Sequence, residues 1–127
     1  MGNGTSIGRV RGLGSSHQGT HHWLTARLTA VGNLVLVSFL LVSLALLPEY
    51  SFATMRGWVA RPVPSIALIL MMINTFTHAR MGVQVMLEDY VHEDGGKIAA
   101  WLLVNIVPFV AAAFGILSVL RISLGSA

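Results

Sequence analysis

The stretch INTFTHARMGVQVMLEDYVHEDGG, residues 73–96, carries on an apolar helical pattern without a break, yet takes in His78, Arg80 and Gln84 before closing on Glu88, Asp89 and Tyr90. Upstream, the run from Pro62 to Ala79 has no charge. A helix over 64–87 is about 36 Å long at 1.5 Å per residue, enough to cross a hydrocarbon layer of roughly 30 Å. Pro64 suits its first turn, where proline's missing N–H costs nothing. The acidic pair at its end marks water.

Working outward, residues 28–47 form an uncharged run of spanning length, and residues 98–120 form another, with Asn105 and Pro108 inside it. The proline is expected to kink that third helix. Between the runs lie a loop containing Trp58 and a short acidic loop whose Gly95 and Gly96 turn the chain back. The expected organisation is an N-terminal segment over 1–27 and transmembrane helices over 28–47, 64–87 and 98–120. This makes an all-α membrane protein with three transmembrane helices, half of a helical bundle and too small to enclose a large cofactor alone.

Composition agrees with that class. Of 127 residues, 54% are hydrophobic and 10% charged, and the mean hydropathy is +0.73. A soluble core of this size cannot bury so much apolar surface. The formal charge of +3 does not indicate nucleic acid, because the arginines are scattered around apolar runs rather than gathered on a polar face. Cysteine is absent, which excludes disulfides and iron–sulfur ligation by this chain.

The first residues, MGNGTSIGRVRGLGSSHQGTHH, are basic and rich in Gly and Ser. No apolar stretch follows at signal-peptide distance, so no cleaved leader is expected, and the glycines favour a bacterial origin over a mitochondrial presequence. Arg9, Arg11, Arg27 and Lys97 lie on one side of the spans, and Arg56, Arg61 and Arg121 on the other. The N-terminal flank dominates, placing the N-terminus in the cytoplasm. Antiparallel spans one and two then gather His21, His22, Arg27, Asp89, Tyr90 and His92 at one membrane face.

His78 lies ten residues before Glu88, about 15 Å below that surface. An ionisable side chain there is a metal or haem ligand, a proton relay, or a hydrogen bond tying two helices together. Helical spacing places Met71, Asn74, His78, Gly82, Val85 and Asp89 on one face, with Thr75 and Thr77 adding local polarity. Gly82, one turn away, permits close approach of a planar macrocycle or another helix. A haem with two histidine ligands would need the second from another chain, since the spans hold only this one. Arg80 points elsewhere, toward the interface or toward Glu88. Arg27 is either an interfacial anchor or a fork for a carboxylate such as a haem propionate, a role His21 could share. Tyr90, beside Asp89, is either an aromatic-belt residue or a hydroxyl that bonds a quinone carbonyl.

The segment HARMGVQVMLEDYV, in which a histidine is followed after eleven and twelve residues by Asp-Tyr, resembles the second transmembrane helix of the succinate dehydrogenase hydrophobic membrane anchor subunits. Upstream, GTHHWLTARLTA resembles the start of that family's first helix, with His21 six residues before Arg27. The resemblance covers nearly the whole chain and has an alphaproteobacterial flavour. It implies a complex of four subunits in the bacterial inner membrane that oxidises succinate and reduces ubiquinone. A flavoprotein subunit and an iron–sulfur subunit would be partners, and a second, cytochrome b-type membrane subunit would complete the bundle around a shared haem b. His78 would be one axial ligand, Arg27 and His21 would face the propionates, and Tyr90 with Asp89 would line the ubiquinone site. A fumarate reductase anchor is a second reading. A small proton-coupled transporter would carry a carboxylate within a span, which this sequence does not. A purely structural membrane protein is the remaining alternative.

Overall fold

The computed structural model of the chain describes residues 19–90 and 94–125. Its helices are α1 (Gly19–Ala45), α2 (Phe52–Ala60), α3 (Pro62–Tyr90) and α4 (Asp94–Ser123). No strand occurs among the described residues. The three long helices contain stretches apolar and long enough to cross a membrane, Gly19–Ala45, Pro62–Leu87 and Gly95–Ser123.

Helices α3 and α4 reach past both ends of the runs that announced them, and α1 starts well before its run while stopping two residues short of its end. A run defined by lack of charge marks only the part that lies in lipid, whereas a helix satisfies its own backbone and has no reason to stop at that boundary. Thus His21, His22, Trp23 and Arg27 stand on α1 itself rather than on a separate segment. Gly95 and Gly96 belong to the first turn of α4 and not to a reversing loop. Glycine's weak helix preference matters least there, where the N–H groups make no bond within the helix. Helix α4 runs through Pro108 without interruption.

The Trp58 segment, expected as a loop, is a helix. Ser51 caps its start by accepting from the Thr54 amide at 3.3 Å, and the Arg61 amide closes its end on the Trp58 carbonyl at 3.1 Å. Arg61 is extended, with ψ at 142°, as a residue before proline must be, and this separates α2 from α3. Trp58 is buried, and its indole N–H donates to Ser43 Oγ on α1 at 2.8 Å. With Leu40 and Ala67 it forms a small core, flanked by Leu36, Leu44, Leu47, Val59, Leu68 and Met71.

Helix α3 packs against both α1 and α4, which do not touch each other among the described residues, and α2 packs against α3 and α4. The long helices therefore make an open layer with α3 in the middle. Large apolar side chains such as Leu28, Leu34, Phe109 and Phe114 face outward, an arrangement stable against lipid tails or partner helices and costly in water. Glycine allows close approach on each side of α3. A Cβ on Gly32 would meet the Asn74 amide nitrogen at 2.9 Å, and one on Gly115 would meet the Met72 sulfur at 2.6 Å.

Two outcomes are expected. Gly32→Ala forces Asn74 from its place and costs about 1–3 kcal/mol by overpacking, whereas Gly57→Ala, with open space around the new methyl, gains up to about 1 kcal/mol of helix propensity. Thermal unfolding of the purified protein in detergent checks both. Ser51 and Thr54 hydroxyls donate to Glu49 Oε1 at 2.8 and 3.1 Å. The Ser51 bond first, then the Thr54 bond, holds this carboxyl below its ordinary range. The folded state favours the charged form, so its contribution to the order of α2 is present above the ordinary carboxylate value and is lost as pH falls through the lowered one. Amide exchange of α2 should quicken over that interval, and Glu49→Gln should abolish the dependence.

Candidate functional site

The polar side chains inside the first two spans converge on one seam. Asn74 on α3 uses both amide hydrogens across it, donating to the Thr29 carbonyl at 2.7 Å and to Asn33 Oδ1 at 2.9 Å. Thr75 adds a bond to Asn33 Oδ1 at 3.0 Å. One turn on, His78 Nδ1 lies 3.0 Å from Thr29 Oγ1. Thr29 is buried at 8% exposure, and His78 is half-buried. No buried side-chain nitrogen or oxygen among the described residues is left unpaired.

Residues 29 and 33 meet residues 78 and 74, so α1 and α3 run antiparallel and the start of α1 shares a membrane side with the end of α3. The seam also explains the local sequence. Thr29, Asn33, Leu36, Leu40 and Leu44 recur at spacings of three and four on α1, which is the stripe that faces a neighbouring helix. Its polar half meets Asn74, Thr75 and His78, and its apolar half meets Ala67, Leu68, Met71 and Trp58.

His78 thus does what the plainest reading of a membrane histidine asks, because one ring nitrogen ties two helices together. The other, Nε2, has no partner among the described residues. Met71, Asn74 and His78 share the face toward α1, but Gly82 does not continue it: a Cβ there would meet nothing within 4 Å. The space one turn from the imidazole is open to a group from outside this chain. An imidazole with one nitrogen engaged and the other without a partner among the described residues, one turn from a glycine, is a donor set that suits haem iron.

The remaining sequence-predicted residues are not gathered around the ring. Arg27 stacks its guanidinium over the Trp23 indole, 5.0 Å from the ring centroid. It stands two residues before Thr29, hence about 160° around α1 and about 3 Å nearer the membrane surface. His21 is exposed at that surface, and its carbonyl accepts from the Thr25 hydroxyl at 2.8 Å. Tyr90 ends α3 at 80% exposure, about 18 Å along the axis from His78. The side chain of Asp89 and the whole of His92 fall outside the described residues. Arg80 lies on the opposite flank of α3, in an open groove of about 440 Å³ shared with Thr77, Asn105, Pro108 and Phe109. A second groove of about 460 Å³, lined by Gln84, Leu87, Lys97, Trp101 and Asn105, opens between α3 and α4 near the Tyr90 end.

Thr29 and Asn33 are the site residues that sequence reasoning missed. Their signal was a four-residue spacing of hydrogen-bonding side chains around Gly32 in an otherwise apolar run.

Residues 1–112 match the family model described as succinate dehydrogenase/fumarate reductase transmembrane subunit. The chain is 32% identical over 115 residues to the succinate dehydrogenase hydrophobic membrane anchor subunit of Rickettsia bellii, covering 85% of this chain and 91% of that one. It is 28% identical to the protein of the same name from Paracoccus denitrificans, over 92% of this chain and 90% of the relative. The corresponding Rickettsia conorii protein is also 28% identical, over 85% and 91%. No solved structure matches the chain. With three apolar helices long enough to cross a membrane and a family match over most of its length, the chain belongs to the succinate dehydrogenase/fumarate reductase transmembrane subunits, as a membrane anchor.

Proposed function

We propose that this chain, with a second hydrophobic subunit, anchors a flavoprotein and an iron–sulfur subunit in a bacterial inner membrane as a succinate:ubiquinone oxidoreductase. Its N-terminus is cytoplasmic, and His78 would be one of the residues that hold a shared haem b, with Tyr90 and Asp89 forming part of the ubiquinone site. The observation that carries the reading is the open Nε2 of His78, set well inside a membrane helix beside the space at Gly82. An imidazole serving only to join helices needs one nitrogen, and here the second makes no bond among the described residues.

Haem bound there supplies a one-electron store within the membrane between the iron–sulfur subunit and quinone. The chain's own residues hold and orient it. The seam fixes the ring of His78 against α1, and the second ligand comes from the partner subunit. Arg27 and His21 lie toward the surface from His78, where propionates leaving the hydrocarbon would need cations or donors. Arg27 can reach them by exchanging its stack on Trp23 for a bidentate bond. At the same side of the membrane, the Tyr90 hydroxyl donates to a quinone carbonyl, and Asp89 next to it passes protons from water. The groove beside Leu87 and Trp101 offers apolar surface to the quinone tail within a turn of Tyr90. Succinate itself is oxidised on the flavoprotein, so this chain's part is binding and relay.

A tagged chain purified in mild detergent should bring down the three partners together with a b-type signal in the reduced-minus-oxidised spectrum. Loss or marked change of that signal is expected in His78→Ala; an unchanged bis-histidine spectrum removes His78 as ligand. For Tyr90→Phe, quinone-coupled turnover should fall about tenfold, as for loss of one hydrogen bond of about 1.4 kcal/mol, while succinate oxidation by a soluble dye is kept. Equal loss of both activities would contradict a quinone-site role.

A further inference from the structure

We propose that Thr29 is a positioning residue for the haem ligand: its hydroxyl accepts the Nδ1 proton of His78 and thereby leaves Nε2 as the nitrogen that binds iron. The inference rests on the reading of His78 as an axial ligand, and it assigns the ring's tautomer to a residue on a different helix. A threonine hydroxyl has one hydrogen. Thr29 Oγ1 lies 2.8 Å from the Thr25 carbonyl and 3.0 Å from the Ala26 carbonyl, the back-bonds a threonine makes within a helix. Both of those partners only accept, and the hydroxyl meets them as a donor. With the hydrogen so placed, the contact of 3.0 Å between Thr29 Oγ1 and His78 Nδ1 takes its proton from the ring, because a bare Nδ1 would set lone pair against lone pair.

A neutral imidazole carries one N–H, so a protonated Nδ1 fixes an unprotonated Nε2. The chain of donation runs from His78 Nδ1 to Thr29 Oγ1 and on to the Thr25 backbone. Thr29 is buried, and its own carbonyl is gripped by the Asn74 amide at 2.7 Å. The correct tautomer is thus selected only when α1 and α3 pair, which couples assembly of the seam to the ability to take a metal. Donation from Nδ1–H also raises the basicity of the opposite nitrogen, and a stronger donor stabilises the ferric state. Removing the acceptor should raise the haem's midpoint potential.

The test is a spectroscopic redox titration of the purified complex with Thr29→Val, Thr29→Ala and Thr29→Ser, alongside His78→Ala. Valine keeps the shape without the hydroxyl, alanine leaves room, and serine keeps the hydroxyl. An upward shift of the midpoint in Val and Ala, with Ser close to wild type, supports the assignment. Loss of haem from Val and Ala with retention in Ser supports it equally. An unchanged midpoint in Val or Ala overturns it, as does a Ser variant that shifts or loses haem as they do. The two readings fail separately. If His78→Ala keeps the native spectrum, the ligand reading itself falls; if His78→Ala loses it while the Thr29 variants titrate as wild type, only the role of Thr29 falls.

Discussion

Hydrocarbon offers no water to a stranded hydroxyl or amide, so a polar side chain inside a membrane helix must bond back to its own helix or be met by another at the right height and on the right face. In this chain that requirement is met between α1 and α3, where Asn33, Asn74 and Thr75 form a connected set with the Thr29 carbonyl. Apolar burial by itself cannot set the register of two helices in lipid, since acyl chains are as apolar as leucine. The hydrogen bonds can, because a slip of one residue would leave every member unpaired. Gly32 lets the backbones come close enough for Asn74 to reach both acceptors. Everything proposed for His78 presupposes this register, as it brings Thr29 to within 3.0 Å of the ring.

Helix α3 is consequently a helix with two different faces. Toward α1 it shows the polar seam and, farther along, Ala67 and Met71 against Leu40 and Trp58. Toward α4 it makes a close contact through Met72 and Gly115 and opens into grooves that hold Arg80 and Gln84. Because α1 and α4 do not meet, neither face is enclosed by this chain alone. A layer of three spans that exposes most of its large apolar side chains is the form expected of a subunit that shares its hydrophobic surface with lipid and with another membrane chain. A cofactor held by one imidazole from such a layer would sit at its edge, between subunits.

The spans were legible in the sequence because absence of charge over membrane thickness is a constraint no other fold imposes, and the Asp-Tyr end of α3 was legible for the same reason. The other ends of the long helices were not, since hydropathy reports where lipid stops and not where backbone hydrogen bonding stops. Helix α2 was hidden because it depends on the Ser51 cap and on the bond from Trp58 to Ser43, a tertiary contact across the turn. His78 stood out as the one imidazole in a span. Thr29 did not: threonine is unremarkable in an apolar helix, and its meaning appears only when α3 places a ring nitrogen beside it. Arg27 shows the converse. Its spacing from His21 is plain in the sequence, but nothing there says that its guanidinium rests on Trp23.

The structural and functional readings of His78 need not compete. The bonds from Asn74 to Thr29 and Asn33, and from Thr75 to Asn33, join α1 to α3 without the imidazole. At about 0.6–2 kcal/mol for each interhelical hydrogen bond, they outweigh the single contact His78 makes. The pairing of the helices therefore does not depend on the ring, whereas the orientation of the ring depends on the pairing. That asymmetry leaves a scaffold that keeps its geometry without the imidazole, and a side chain whose remaining nitrogen is not spent on the scaffold.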